Sequence, residues 1–267
     1  MEPADGSAEP SQLIYGTHAV REALRSGSRP LLRLVIAGHD RRLSDVIELA
    51  KQLHVPIHVE PRHALDRMVP GGRHQGIIGL IAAKPYAETE DVLEAARRRT
   101  EAPLVVVLDG VEDPHNLGAI VRTAEAAGVH GIFIPERRAA GLTAAVAKAS
   151  AGAIEYLHIG RVTNLSRLIE ALQKDGLWVY GLDPSSEKSY LDLDFSGPVA
   201  VVLGGESKGV RPGVLGKCDD RARIPMRGNV ASLNVSAAAA VVLFEVVRQR
   251  SAGGISGSES SRPESRL

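Results

Sequence analysis

The sequence predicts an α/β protein of two domains, and three observations lead to this prediction. The chain has 267 residues, which is enough for one large domain or two of ordinary size. Hydrophobic residues make up 44% and charged residues 24%, a balance that is typical of a globular protein and excludes a wholly disordered chain. Strand-like and helix-like segments alternate between the two polar ends, which favours mostly parallel sheets covered on both faces.

A smaller N-terminal domain is predicted over residues 12–83. Thr17 is a good N-cap and Gly27 a good C′ residue, so we expect the first helix between them. Ser44 is expected to cap a second, amphipathic helix that ends at Leu53. The other predicted elements are strands at 31–37, 55–59 and 76–82 and a short helix at 61–68.

A larger second domain is predicted over residues 103–250, after a linker at 84–102 that contains a charged helix ending in three arginines. Residues 104–108 are a run of aliphatic and β-branched residues, as expected for a strand buried on both faces. The further strands are predicted at 131–135, 154–159, 177–182, 199–203 and 221–225, and the helices at 116–127, 143–151, 164–174 and 232–250. Residues 1–11 and 251–267 are poor in apolar residues and are predicted to be disordered tails.

Composition excludes several classes of protein. The longest apolar stretches are too short to cross a bilayer, and no basic region followed by an apolar one is visible near the start. The one cysteine, Cys218, can form neither an internal disulfide nor a zinc cluster, and the histidines lack zinc-site spacing. We therefore expect a cytoplasmic protein that needs neither a membrane nor a metal.

Common site signatures are also missing. The sequence has no P-loop motif, no glycine-rich dinucleotide fingerprint after the strand at 104–108 and no nucleophile elbow. The formal net charge is zero, but residues 12–83 hold ten basic against six acidic residues and six of the nine histidines. This local excess is consistent with an anionic partner, and ordinary solvated faces explain it equally well.

Three unusual loops lie at strand ends of the second domain, where α/β sheets place their ligands. The first, 109–118, holds Asn116 as a plausible N-cap and leads into a helix with Arg122, which either serves a site or pairs with Glu125. The second, 204–209, has glycines that permit close approach of a ligand, or form a plain turn with a solvated Glu206. The third, 224–236, opens the last helix with Ser232, a good cap, and Asn234, a weak helix former; this combination suits a polar or anionic ligand.

The last predicted helix is apolar on most of its circumference. Val235, Ala239, Val242 and Val246 follow helical spacing, and Phe244 is one of several apolar residues between them. Such a helix must be covered on more than one side. We expect a second copy of the chain to cover it, and a neighbouring helix of the same domain is the alternative.

The segments LDGVEDPHNLGAIVRTAEAAGV, VVLGGESKGV and IPMRGNVASLNVSAAAA resemble the three ordered motifs of the SPOUT-superfamily RNA 2′-O-ribose methyltransferases, the SpoU/TrmH branch. IYGTHAVREAL and RHQGI resemble the substrate-binding domain that precedes the catalytic domain in the 23S rRNA guanosine-2′-O-methyltransferase members. The resemblance spans about residues 13–250. It implies a small N-terminal α/β RNA-binding domain and a C-terminal SPOUT domain with a deep trefoil knot.

The resemblance also implies a cofactor, partners and site residues. S-adenosylmethionine is expected in the knot, held by Gly204, Ile224 and Leu233, with Leu203 and Met226 beside it. The catalytic set that the resemblance implies is Asn116, Arg122, Glu206, Ser232 and Asn234. A homodimer acting on 23S rRNA or its assembly precursor is expected, with no metal. Methylation of tRNA, methylation of an rRNA adenosine, and an RNA-binding protein that has lost activity are the alternatives.

Overall fold

The computed structural model describes residues 11–38, 40–206 and 208–253. Within these residues the chain forms a four-stranded and a six-stranded sheet, which confirms the predicted two-part α/β fold. Residues 1–10 and 254–267, most of the two predicted tails, lie outside the described residues. Ser11 belongs to a strand and the last helix reaches Gly253, so regular structure includes one residue of the predicted N-terminal tail and three of the predicted C-terminal tail.

The N-terminal domain is built on a sheet with the strand order β1-β4-β2-β3. Its elements are β1 (Ser11–Tyr15), α1 (Thr17–Ser26), β2 (Leu31–Ile36), α2 (Ser44–Gln52), β3 (Ile57–Val59), α3 (Arg62–Met68) and β4 (Ile77–Ala82). Strand β1 was not predicted, because five residues beside a polar tail carry little local signal. Its antiparallel partner β4 lies more than sixty residues away, and the fully buried Ile14 anchors it in the core.

The second domain has six strands, all parallel, in the order β10-β8-β9-β5-β6-β7. Its elements are α4 (Thr89–Arg99), β5 (Leu104–Asp109), α5 (Pro114–Ala126), β6 (Gly131–Pro135), α6 (Ala144–Ala149), β7 (His158–Val162), α7 (Leu165–Lys174), β8 (Trp178–Leu182), β9 (Val199–Gly204), α8 (Pro212–Leu215), β10 (Asp220–Ala222) and α9 (Val235–Gly253). All six residues of β5 are buried, as its aliphatic run predicts.

Several predicted boundaries are wrong, and three of them lie near loops of the second domain. The strand expected at 154–159 begins at His158, because Ala153–Glu155 form a 3-10 turn. The sequence signal was ambiguous here, since a short apolar run fits a buried helical turn as well as a strand. The strand expected at 221–225 ends at Ala222, and the last helix begins at Val235, three residues after Ser232.

The helix inside the expected linker is part of the second domain's packing. Val92, Leu93 and Ala96 of α4 are buried, and the first two belong to the same apolar cluster as Phe133 of β6 and Ile169 of α7. The opposite face of the sheet is covered by α5, α6 and α9, and its core is continuous with the core of the N-terminal sheet. The two domains therefore share one hydrophobic core across residues that are far apart in sequence.

Strands β5 and β9 lie side by side at the point where the strand order reverses, with Asp109 paired in register with Gly204. The chain passes from β5 to its neighbour β6 on one side, and from β9 to β10 on the other side, where β10 lies beyond β8. A crevice at the carboxyl ends of such strands is the usual ligand site of an α/β sheet. The trefoil knot stays a prediction, while the sheet order predicts a candidate site near the end of β9.

Among the described residues, no helix is long and apolar enough to cross a membrane. The same residues contain no group of three or more His, Cys, Asp or Glu side chains that could hold a metal ion.

Candidate active site

A cavity of about 340 Å³ opens at the carboxyl ends of β8, β9 and β10. All five residues expected to contact the cofactor line it, namely Leu203, Gly204, Ile224, Met226 and Leu233. Two members of the expected catalytic set, Glu206 and Ser232, line it as well. The second and third loops singled out in the sequence therefore meet around one cavity.

The loop after β9 is fastened to the loop after β5 through Asp109. Its backbone oxygen accepts a 2.8 Å hydrogen bond from the Gly205 amide, and its buried carboxylate accepts 2.8 Å hydrogen bonds from the backbone N–H and the Nε of Arg211. A Cβ on Gly205 would overlap the backbone of Gly110, so glycine is required for this close approach. A backbone hydrogen bond and the Asp109–Arg211 ion pair therefore both hold the two loops in contact.

Three polar side chains, one from each loop, form a connected network at this edge of the sheet. The Asn116 amide Nδ2 donates to Glu206 Oε1, and Asn234 Nδ2 donates to Asn116 Oδ1 at 3.0 Å. Asn116 was expected to be an N-cap, but Asp113 caps α5 by accepting from the His115 amide at 2.9 Å. Asn116 thus sits in the first turn, where its side chain is available to the network.

Asn234, and not Ser232, caps the last helix. Its Oδ1 accepts hydrogen bonds from the Ser236 backbone N–H at 2.9 Å and from the Ser236 hydroxyl at 2.6 Å. The expectation that Ser232 opens the helix was therefore wrong, because Asn234 offers the cap acceptor immediately before the first helical residue. One amide side chain caps α9 with its oxygen and contacts Asn116 with its nitrogen.

Arg122 and Ser232 stand apart from this network. Both side chains are exposed, Arg122 is not among the cavity's lining residues, and the part of the chain described here gives neither side chain a hydrogen bond or ion pair. The alternative that Arg122 pairs with Glu125 is not realised. Of the five residues expected to act together, three are connected by hydrogen bonds within one chain, namely Asn116, Glu206 and Asn234.

The cavity wall also holds charged residues that the sequence reasoning missed, namely Asp183, Lys208 and Arg223. Asp183 directly follows β8, the neighbour of β9 in the sheet, and its amide donates to the Ala222 oxygen at 3.0 Å. The rule that ligands bind at strand ends applies to β8 as much as to β9, so this carboxylate could have been found from the sequence.

Comparison with known proteins matches both domains. Residues 103–244 match the SpoU rRNA Methylase family, and residues 13–87 match the RNA 2′-O ribose methyltransferase substrate binding family. The Bacillus subtilis protein YacO, named for the TrmH family of tRNA/rRNA methyltransferases, is 46% identical over 243 residues, which cover 90% of this chain and 97% of that protein.

Two further proteins extend this comparison. The Pseudomonas aeruginosa 23S rRNA (guanosine-2′-O-)-methyltransferase RlmB is 42% identical over 240 residues, which cover 89% of this chain and 96% of that protein. An rRNA methyltransferase from Sinorhizobium meliloti, solved with AdoMet bound, superposes with a TM-score of 0.72 at 25% identity and covers 89% of this chain and 87% of that one. The family match over residues 103–244, the identity to relatives that are covered almost completely and the three-loop site agree: this chain belongs to the SpoU rRNA methylase family.

Proposed function

We propose that this protein transfers a methyl group from S-adenosylmethionine to a ribose 2′-hydroxyl of RNA, and that its target is a guanosine of 23S rRNA. The observation that carries the proposal is the cavity at the carboxyl ends of β8, β9 and β10, with the Asn116–Glu206–Asn234 network beside it. Membership of an RNA methyltransferase family supports the reaction class. The guanosine and 23S rRNA are supported by the relative RlmB.

The cavity fits S-adenosylmethionine in size and chemistry. Its volume of about 340 Å³ falls within the usual range for small-molecule sites. Leu203, Ile224 and Leu233 give it apolar walls for a base, and Gly204 contributes backbone to the lining. Asp183 and Arg223 offer opposite charges to an amino group and a carboxylate. S-adenosylmethionine is the cofactor, and these residues would hold it.

The bound cofactor supplies a methyl group on a sulfonium, ready for in-line displacement. With both substrates bound, the 2′-oxygen would take the methyl group, the thioether would leave with the electron pair of the S–C bond, and the hydroxyl proton would pass to solvent water. What the protein must supply is alignment of this hydroxyl, which is worth most of the rate gain in reactions of this type. Glu206 orients Asn116 by accepting from its amide, and Asn234 fixes the other end of the same amide. Asn116 is thereby held in one orientation toward the nucleotide.

Arg122 is assigned to positioning of the ribose and a neighbouring phosphate. Arginine stays protonated in proteins, so it is a poor general base. Its planar fork of donors matches a phosphate in two-point geometry, and its exposed position on α5 leaves it accessible to RNA. Ser232, which lines the cavity, is assigned to contact with the same nucleotide.

Transfer of tritiated methyl groups to total RNA from a strain that lacks this protein tests the proposal. We expect label in 23S rRNA, at one guanosine 2′-oxygen when the site is mapped. Label in tRNA would support methylation of tRNA, which is consistent with the name of YacO because that name mentions both tRNA and rRNA. Label at an adenosine would support an enzyme that methylates adenosine. No transfer, together with weak S-adenosylmethionine binding in a thermal-shift assay, would indicate an RNA-binding protein without activity.

We also propose that the protein acts as a homodimer with α9 in the interface. The buried face of α9 holds Ala239, Val242, Leu243 and Val246. A second stripe runs along its other side, where Phe244 is 50% exposed and Val241 is half-buried. An exposed aromatic residue in an apolar stripe is typical of an association surface. A second copy of the chain would cover this stripe.

A further inference from the structure

A second cavity, with a volume of about 570 Å³, lies where the N-terminal domain meets α6. It is lined by Arg62, Asp66, Gly72, Arg73, His74, Gln75 and Lys148. Three of these side chains are cationic and one is a carboxylate, which is already engaged because Asp66 Oδ1 lies 2.9 Å from His74 Nε2. Throughout residues 11–38, 40–206 and 208–253, no carboxylate forms an ion pair with any of the three cations. The cavity therefore carries a local excess of positive charge in a chain of zero net charge.

Lys148 is held in this cavity by the two N-terminal motifs that the candidate active site does not use. Its Nζ donates to Gln75 Oε1 at 2.8 Å, and the same oxygen accepts from the Thr17 amide at 3.0 Å. Gln75 has a φ of 57°, an uncommon conformation for a residue with a side chain. Gly16, with a φ of 89°, lies so close that an added Cβ would overlap Nζ. A strained backbone and a required glycine thus place one lysine of the catalytic domain against the N-terminal domain.

The surroundings of Lys148 disfavour its charged, ammonium form. Its pKa is lowered, first by burial and then by the charge of Arg73. Burial and a nearby like charge both disfavour a cation. An anion bound between Arg73 and Lys148 would relieve the repulsion and replace lost solvation, so the cavity is suited to a negatively charged group.

The segment that carries Lys148 packs directly against α5, the helix that carries Asn116 and Arg122. Ala149, the next residue after Lys148, lies directly against Gly118 of α5, where an added Cβ would overlap the Ala149 methyl group. Gly118 is two residues from Asn116 and one helical turn from Arg122. An RNA strand that contacts Lys148 therefore lies beside α5 rather than on a separate face of the protein.

We propose that Arg62, Arg73 and Lys148 bind a backbone phosphate of the substrate RNA at the junction of the two domains. The proposal rests on the proposed function, since it takes RNA as the substrate. A phosphate contacted from both domains at once fixes the register of the RNA relative to Asn116 and Arg122. Contacts of this kind position a nucleic acid without reading its sequence.

Three variants test the proposal: Arg62→Ala, Arg73→Ala and Lys148→Met. Matched controls remove the same charges from the opposite face of the sheet, Arg167→Ala and Lys174→Met on α7, where both side chains are exposed. The probe is a 23S rRNA fragment that the wild-type protein methylates, and its Kd is measured over a series of salt concentrations. S-adenosylmethionine binding, measured by calorimetry, and the thermal unfolding midpoint show that each variant is folded.

We expect each cavity variant to bind the RNA about 5- to 10-fold more weakly than its control and to lower the slope of log K against log salt by about 0.7 to 0.9, the value for one lost phosphate contact. Cofactor binding should be unchanged. RNA affinities equal to those of the controls would overturn the proposal. The proposal would also be overturned if the cavity bound free phosphate and not RNA. In that case inorganic phosphate would raise the unfolding midpoint of the wild type and not of the variants, while the RNA affinity of the variants would equal that of the wild type. The proposed function fails separately, when the wild-type protein transfers no methyl group to any RNA.

Discussion

Arg29 of the N-terminal domain and Glu155 of the catalytic domain form a buried ion pair with two hydrogen bonds, Nε to Oε2 at 2.9 Å and Nη2 to Oε1 at 2.6 Å. Their side chains are only 3% and 1% exposed. The third guanidinium nitrogen donates to the Ala82 oxygen at 2.8 Å, and Ser28 donates its hydroxyl to the same carboxylate at 3.0 Å. The pair therefore fastens the end of the N-terminal sheet to the turn before β7.

We expect Glu155→Ala to lower the free energy of unfolding by about 3–5 kcal/mol, because it leaves the Arg29 charge buried without a partner. Urea denaturation followed by circular dichroism measures this. The double variant Arg29→Met/Glu155→Leu should be less destabilised than Glu155→Ala, since it leaves no unpaired guanidinium at position 29. Asp45→Ala, which breaks the more exposed Arg21–Asp45 pair, is the control and should cost less than about 1 kcal/mol. Equal costs for Glu155→Ala and Asp45→Ala would contradict the assignment.

Arg122→Ala should abolish methyl transfer and leave the Kd for S-adenosylmethionine within a few-fold of the wild-type value. The reason is that Arg122 lies outside the cavity lined by the cofactor-contact residues. Calorimetry measures cofactor binding and tritium incorporation measures transfer. Glu125→Ala, on the same helix and also exposed, is the matched control and should retain activity. A folded Arg122→Ala protein that no longer binds the cofactor would refute this assignment.

Substitutions of Asn234 should separate its two roles. Asn234→Ala removes the cap of α9 and should cost about 1 kcal/mol of stability. Asn234→Ser keeps a cap acceptor but is too short to reach Asn116, so it should cost clearly less. Both variants should lose transfer activity to a similar extent, because both break the 3.0 Å contact to Asn116 Oδ1. Full activity in the serine variant would show that capping is the only contribution of Asn234.

Phe244→Glu should weaken self-association, because it places a charge in the exposed apolar stripe of α9. Sedimentation equilibrium at micromolar concentration measures the dimer fraction. The control is Leu53→Glu at the end of α2, another apolar side chain that is 50% exposed, and it should leave the dimer intact. A wild-type protein that is a stable monomer and still methylates RNA would show that the dimer proposal is wrong.

The sequence alone determined the class of the fold and most of its elements. The aliphatic runs of β5, β6 and β9 predicted buried parallel strands, because a strand covered on both faces needs apolar residues at every position. The three strand-end loops predicted where the site lies, and the resemblance to known methyltransferases added the residues expected in it. These signals are local in the chain, which is why they were readable without a structure.

Other features depended on contacts between distant residues. Strand β1, the helical turn at Ala153–Glu155 and the cap role of Asn234 were missed or misassigned, since in each case the local sequence fits two conformations. The junction shows this most clearly: no local signal connects Arg29 with Glu155 or Gln75 with Lys148, although each pair is in hydrogen-bond contact. Packing of one domain on the other creates these pairs, because only the shared core brings residues that are 126 and 73 positions apart within reach of each other.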